Sequence, residues 1–148
     1  MAHYIEPGRL EARLVHGTVG RLARYGLSLA GTQELQVRGR GTGEWRPVPV
    51  NPLDLGGERF LVSVRGESQW ARNLRAAGAG RLRLGRGVRP FRAEELRDEE
   101  KPPVLRAYLR RWGWEVGRFF DGVSARSGEA ELRRIAPRHP VFRIAVDG

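Results

Sequence analysis

Apolar positions along the chain follow two rhythms. From residue 35 to residue 93 they come mostly in short runs broken by glycine or proline. On either side of that span they recur at three- and four-residue spacing. The short runs at 35–38, 45–50, 53–55, 59–64, 81–84 and 88–93 read as β-like, and a last run at 141–146 puts Phe142, Ile144 and Val146 on one face. Phe60, Val62 and Val64 alternate with Leu61 and Ser63, which predicts a strand with one face in the core. Pro47 and Pro49 cannot donate ladder hydrogen bonds, so their run is expected at a sheet edge. Gly56-Gly57 and the glycines around Arg86 mark two hairpin turns.

The helical rhythm appears four times. Leu10, Leu14, Val15, Val19 and Leu22 form a stripe over residues 9–25. Ser68 is placed to cap a helix at 69–77, with Trp70, Asn73 and Leu74 on one face and a stop in the alanine–glycine run that follows. Pro102 and Pro103 can start a third helix through Val104, Leu105, Tyr108, Leu109 and Trp112, which Gly113 is expected to break or bend. Residues 94–100 read as an acidic helix end or loop, and 128–136 as a short helix. About six strands joined as hairpins, with helices outside, predict a mainly β, α+β domain built on a small antiparallel barrel.

Composition narrows the chemistry. The 148 residues suit a single domain, and no apolar run approaches a membrane span, so a cytoplasmic protein is expected. The absence of cysteine excludes disulfides, thiolate catalysis and thiolate metal sites. The net charge is +10, and Lys101 is the only lysine, so arginine supplies the other 26 of 27 cations. That excess fits either a solvated surface or a polyanionic ligand, whether nucleic acid or a phosphorylated, carboxylate-rich coenzyme.

Two arginine-bearing glycine turns, 39–46 and 65–69, sit at the ends of these strands. Successive glycines let backbone N–H groups converge, and neighbouring guanidinium groups add forked donors, so both turns suit phosphate or carboxylate. His16 and His139 read as packing or turn residues, Asp54 and Glu58 as solvated, and Trp45 as packing beside Arg46. A nucleic-acid-binding barrel is the competing reading from charge. However, the strands carry Leu, Val and Phe in core alternation rather than interleaved aromatic and basic residues, which argues against specific nucleic-acid binding.

From about residue 29 to residue 91 the chain resembles the deazaflavin-dependent nitroreductase family, split β-barrels that bind the deazaflavin coenzyme F-420. The resemblance rests on Gly39-Arg40-Gly41-Thr42-Gly43, on Arg46 and Pro49, on Val64-Arg65-Gly66, and on Trp70-Ala71-Arg72-Asn73-Leu74. It implies one split barrel over residues 1–148: an N-terminal helix at 9–25, a barrel at 35–93 plus 141–146, and a helical lid at 103–136. Arg40, Thr42 and Arg46, in the turn closed by Gly43, look like the positions holding the coenzyme's phosphate and acidic tail. Pro49, Val62, Ser63 and Val64 look like the wall along its ring. Arg65 and Gly66 look like the turn at the ring's polar edge, and Trp70 and Asn73 like the helix face closing the pocket.

The same resemblance implies a hydride transfer to a flat organic acceptor such as a quinone, an enone or a nitroaromatic. Tyr108, Trp112 and Phe119 are then expected at the substrate, with Tyr108, Ser63 or water giving the proton. Members often carry lysine where this chain has Gly41 and Arg65, and several C-terminal tyrosines where it has mainly Trp and Phe. Flavin mononucleotide is the alternative cofactor, a non-catalytic carrier the alternative role, and a homodimer is expected because related split barrels often dimerise. No metal site is expected.

Overall fold

The computed structural model describes residues 32–84 and 86–146. The helix expected at 9–25, with His16, lies outside the described residues. Seven strands follow one another as β1 (Gln33–Arg38), β2 (Trp45–Val50), β3 (Leu53–Leu55), β4 (Glu58–Val62), β5 (Ala79–Leu84), β6 (Gly87–Glu95) and β7 (Val141–Val146). Among the described residues three α-helices flank them: α1 (Gln69–Ala77), α2 (Pro102–Val116) and α3 (Glu129–Ile135). The strands form one sheet in the order β2-β1-β5-β6-β7-β4-β3, and every pairing is antiparallel. The sheet curls into an open half-barrel, the split-barrel arrangement that the resemblance implies.

β2 lies at one edge of the sheet, where Pro47 and Pro49 face Gln36 and Glu34 of β1. Their missing N–H groups therefore cost the ladder least. Ser68 caps α1 by accepting the Ala71 amide at 3.3 Å, and the helix ends at Gly78 in the left-handed conformation. A fork from Arg75 to Glu67 and Glu95 ties α1 to the turn before it and to β6. β6 runs past residue 93 to Glu95 because β7 pairs with it from Phe91 through Glu95; a 3-10 turn, Asp98–Glu100, then leads into α2.

Two cores lie on opposite sides of β4. α1 packs Ala71 and Leu74 against Leu35, Val37, Leu61, Leu82, Phe91 and Phe142. α2 and α3 bring Leu105, Leu109, Leu132 and Ile135 against Phe60 and Val62. β4 is thus buried on both faces, not on one as the alternation suggested, because helices cover it from both directions. Burial of this kind stabilises by about 25 cal/mol per Å² of apolar surface removed from water.

Gly113 does not break α2. The helix continues to Val116, and Trp112 and Val116 are both buried. A glycine inside a helix costs about 1 kcal/mol, less than the roughly 1.5–3 kcal/mol gained by burying one large apolar side chain. In the 103–136 segment Leu105, Leu109, Trp112, Leu132 and Ile135 belong to the buried core. Among the described residues no helix is long and apolar enough to cross a membrane.

Candidate functional site

Three connected depressions run from the 39–46 turn, across the β2 edge, to the interior between α1 and α2. The outermost, of 660 Å³, is lined by Gly39, Arg40, Thr42 and Arg46 on the loop and by Gln69 and Asn73 on α1. The loop is closed by its own backbone, with Gly39 N donating to Glu44 O at 2.8 Å and Gly43 N to Gly39 O at 2.9 Å. Gly43 takes a φ of 73°, a left-handed conformation that glycine adopts without strain.

Arg40 is held by α1. Its backbone N and its Nη1 donate to Asn73 Oδ1 at 3.2 and 2.9 Å, and its Nη2 donates to Gln69 Oε1 at 3.1 Å. These partners are neutral amides, so the guanidinium is fixed in place while no carboxylate among the described residues pairs with it. Arg46 makes no ion pair among the described residues. It lies against Gly39, where a Cβ would come within 2.8 Å of Arg46 Nε and 3.1 Å of Thr42 Oγ1. A side chain at 39 would displace the present Arg46 and Thr42 rotamers.

The middle depression, 340 Å³, shares Arg46, Gln69 and Asn73 with the outer one. Val37, Val48, Trp45 and Trp70 give it apolar walls, and Glu44 adds a carboxylate to its rim. The Trp45 ring is stacked by Arg38 at 4.4 Å and Arg81 at 3.6 Å from its centroid, which fixes the start of β2.

The innermost cavity is only 20 Å³ and shares Ser68 and Trp70 with the middle one. Its walls include Pro49, Val62 and Val64, with Asn51, Ser63, Arg65 and Tyr108 as polar groups. Trp70 is thus the partition between the two, its ring tilted against Phe142 at 6.0 Å.

The structure gives Ser63 a different task from the proton donor expected of it. Its Oγ donates to the Gly66 carbonyl at 2.5 Å. With that hydrogen committed, the 2.9 Å contact to Ser68 has Ser68 as donor, and Ser68 Oγ in turn accepts the Ala71 amide. This chain locks the 63–68 turn to the start of α1. On the other side, the buried His139 puts Nδ1 2.9 Å from the Ser63 carbonyl and stacks on Phe120 at 4.2 Å. Since a carbonyl only accepts, Nδ1 carries the hydrogen.

Tyr108 is 1% exposed, packed on Trp112 at 4.9 Å, and still reaches the inner cavity wall. Burial pushes its phenol well above the ordinary tyrosine range, with a smaller push from Glu115. Trp112, expected at the substrate, is 4% exposed and sits in the α2 core, because the helix turns it toward Tyr108 and not toward the groove. Phe119 is half-buried under the Arg65 guanidinium, 5.1 Å from its carbon to the ring centroid, and so borders the inner cavity through that arginine. Gly43 and Gly66 (φ 93°) shape the two turns without lining the groove.

The reading from sequence missed Asn51 and the locking roles of Ser68 and His139. Asn51, between Val50 and Pro52, carries the local signature of an ordinary turn. Nothing in its neighbours along the chain points to a cavity.

A family model described as F420H(2)-dependent quinone reductase matches residues 9–114. The chain belongs to that family. It is an oxidoreductase, and its cofactor is coenzyme F-420. Among solved structures, one described as an F420-H2 dependent reductase matches with a TM-score of 0.53 at 20% identity, over 78% of this chain and 95% of the other. A protein of unknown function from Agrobacterium tumefaciens matches with a TM-score of 0.55 at 15% identity, over 80% of this chain; the chain spans only 49% of that protein. A third structure, described as a domain-swapped dimer, matches with a TM-score of 0.54 at 19% identity, over 93% of this chain and 94% of the other. At such identities these neighbours establish the shared fold alone. No curated protein sequence matches this chain significantly.

The residues present fit this coenzyme. An anionic tail needs cations that are ordered but not already neutralised. Arg40, held by two amides, and Arg46, laid over Gly39, meet that need. A planar ring needs an apolar slot contiguous with them, and the shared lining by Arg46, Asn73 and Trp70 supplies the continuity.

Proposed function

We propose that this F-420-dependent reductase delivers a hydride to a flat quinone-class acceptor, with enones and nitroaromatics as further members of the substrate class. The reading is carried by one observation: the groove is continuous from the arginine loop to the apolar wall of Pro49, Val62 and Val64. Arg40, Thr42 and Arg46 hold the phosphate and acidic tail, and Asn73 positions Arg40. Trp70, with Val37 and Val48 in the middle depression, aligns the ring; the Val62–Val64 wall of the small inner cavity lies beyond Trp70, and Arg65 faces the ring's polar edge. Phe119, beneath Arg65, borders the acceptor.

The bound coenzyme supplies a hydride and, on oxidation, releases one proton. A quinone that takes up that hydride and one proton becomes a hydroquinone, so no other reductant is needed. The chain's own work is alignment and exclusion of water. Tyr108, held protonated by burial, donates a hydrogen bond and does not act as a base. A homodimer belongs to the same reading, supported by the dimeric neighbour.

The test is a fluorescence titration of the purified chain with coenzyme F-420 and with flavin mononucleotide, followed by turnover of the reduced coenzyme with menadione. Saturable F-420 binding and menadione-dependent oxidation are expected. Binding without turnover would leave a carrier protein, and saturation by the flavin alone would sink the assignment.

A further inference from the structure

The inner cavity holds a donor that nothing among the described residues uses. Asn51 is 2% exposed and lines this cavity. Its Oδ1 accepts the Thr32 hydroxyl at 2.8 Å, which fixes the amide, while its Nδ2 is buried without a hydrogen-bond partner among the described residues. Leaving a buried amide N–H unsatisfied costs about 1–3 kcal/mol, so such a group calls for a partner, either an ordered water or a ligand atom. The cavity, at 20 Å³, has room for a single water-sized atom and not for a ring. The nearby serine hydroxyls do not compete for that atom, since Ser63 donates to Gly66 and Ser68 to Ser63.

We propose that this cavity is an oxygen-sized hole, and that Asn51 Nδ2 donates to the carbonyl oxygen of the acceptor as it is reduced. This rests on the quinone-reductase reading above and names the group that polarises its substrate. The body of the acceptor stays outside in the groove, and one oxygen enters, beside Asn51 and Tyr108 with Arg65 at the same wall. Hydride transfer breaks a carbon–hydrogen bond on the coenzyme, forms one at an acceptor carbon conjugated with the carbonyl, and moves the displaced electron pair onto the acceptor oxygen. Donors fixed in a dry site before that charge develops act most strongly where it arrives, so the acceptor gains more from Asn51 than the coenzyme ring does. Asn51 keeps its own protons; the proton that completes the hydroquinone balances the one released on coenzyme oxidation.

Asn51→Leu keeps the branched shape of the side chain and removes the donor. We expect kcat with menadione to fall by about 10²- to 10³-fold, the effect of deleting one oxyanion-type donor. The F-420 dissociation constant should stay within about two-fold, and Tm should change little, because relief of the unsatisfied Nδ2 offsets loss of the Thr32 hydrogen bond to Oδ1. A second readout needs neither turnover nor the variant. In nitrogen-15 spectra of the wild-type chain loaded with oxidised coenzyme, the assigned Asn51 side-chain amide should shift downfield when menadione is added. A shift caused by the coenzyme alone, with no further change on menadione, overturns the assignment to the acceptor. If the wild-type chain binds no coenzyme, the underlying reading fails. If it binds and Asn51→Leu turns over at the wild-type rate, only the role of Asn51 fails.

Discussion

The two ends of the groove are built on opposite plans. At the outer end, cations stand on a hydrogen-bonded loop around 660 Å³ of accessible space, and their fixed partners are neutral. At the inner end, a 20 Å³ cavity is walled by Pro, Val and a buried tyrosine, with an amide donor left over. The outer end suits a ligand that is large, hydrated and strongly charged, for which attraction and forked geometry decide affinity. The inner end suits a single atom whose charge appears only during reaction. The contrast divides labour: one end holds the coenzyme and the other acts on what the coenzyme reduces.

The sharpest break of this division comes from the outer end. Arg46→Ala should weaken F-420 binding by about 1–3 kcal/mol, or roughly 5- to 150-fold, the range for losing a charge-assisted hydrogen bond. The kcat at saturating coenzyme should be nearly unchanged. Isothermal titration measures the first and steady-state kinetics the second; a large fall in kcat with unaltered affinity would reverse the assignment. Next in size is Tyr108→Phe, for which loss of one neutral donor predicts a kcat lower by about 2- to 10-fold with the coenzyme dissociation constant untouched. Equal turnover would remove the phenol from the chemistry and leave it a packing residue.

The smallest effect tests the fastening between the two ends. Glu67 and Glu95 clamp Arg75 of α1, the helix that carries both Trp70 and Asn73. The hydrogen bond from Arg75, aided by its charge, holds the Glu67 carboxyl below its ordinary value of 4.5, outweighing the opposing effect of burial. A carboxyl whose folded pKa is depressed contributes stability that is fully present above its unfolded pKa. That stability is lost as pH falls through the folded value. Thermal melts should therefore show Tm falling below about pH 4.5 for this reason, and Arg75→Leu should flatten that part of the profile. An unchanged profile would mean that the clamp adds nothing, as is common for partly exposed ion pairs.

Local chemistry in the sequence was enough for the elements. Alternation and turn glycines located the strands, Ser68 and Gly78 bounded α1, and two prolines placed β2 at an edge, because each signal acts within a few residues of where it is written. The glycine–arginine turn was legible for the same reason: a loop that closes on its own backbone carries its shape with it. Tertiary packing decided what each residue faces. It buried β4 on both sides, carried α2 straight through Gly113, turned Trp112 inward, and committed the Ser63 hydroxyl to its own turn. It also left Asn51, an unremarkable residue between Val50 and Pro52, with a donor against a cavity shared by Val62, Arg65 and Tyr108. Whether a polar group is satisfied depends on partners distant in sequence, so that property comes into being only when the chain closes on itself.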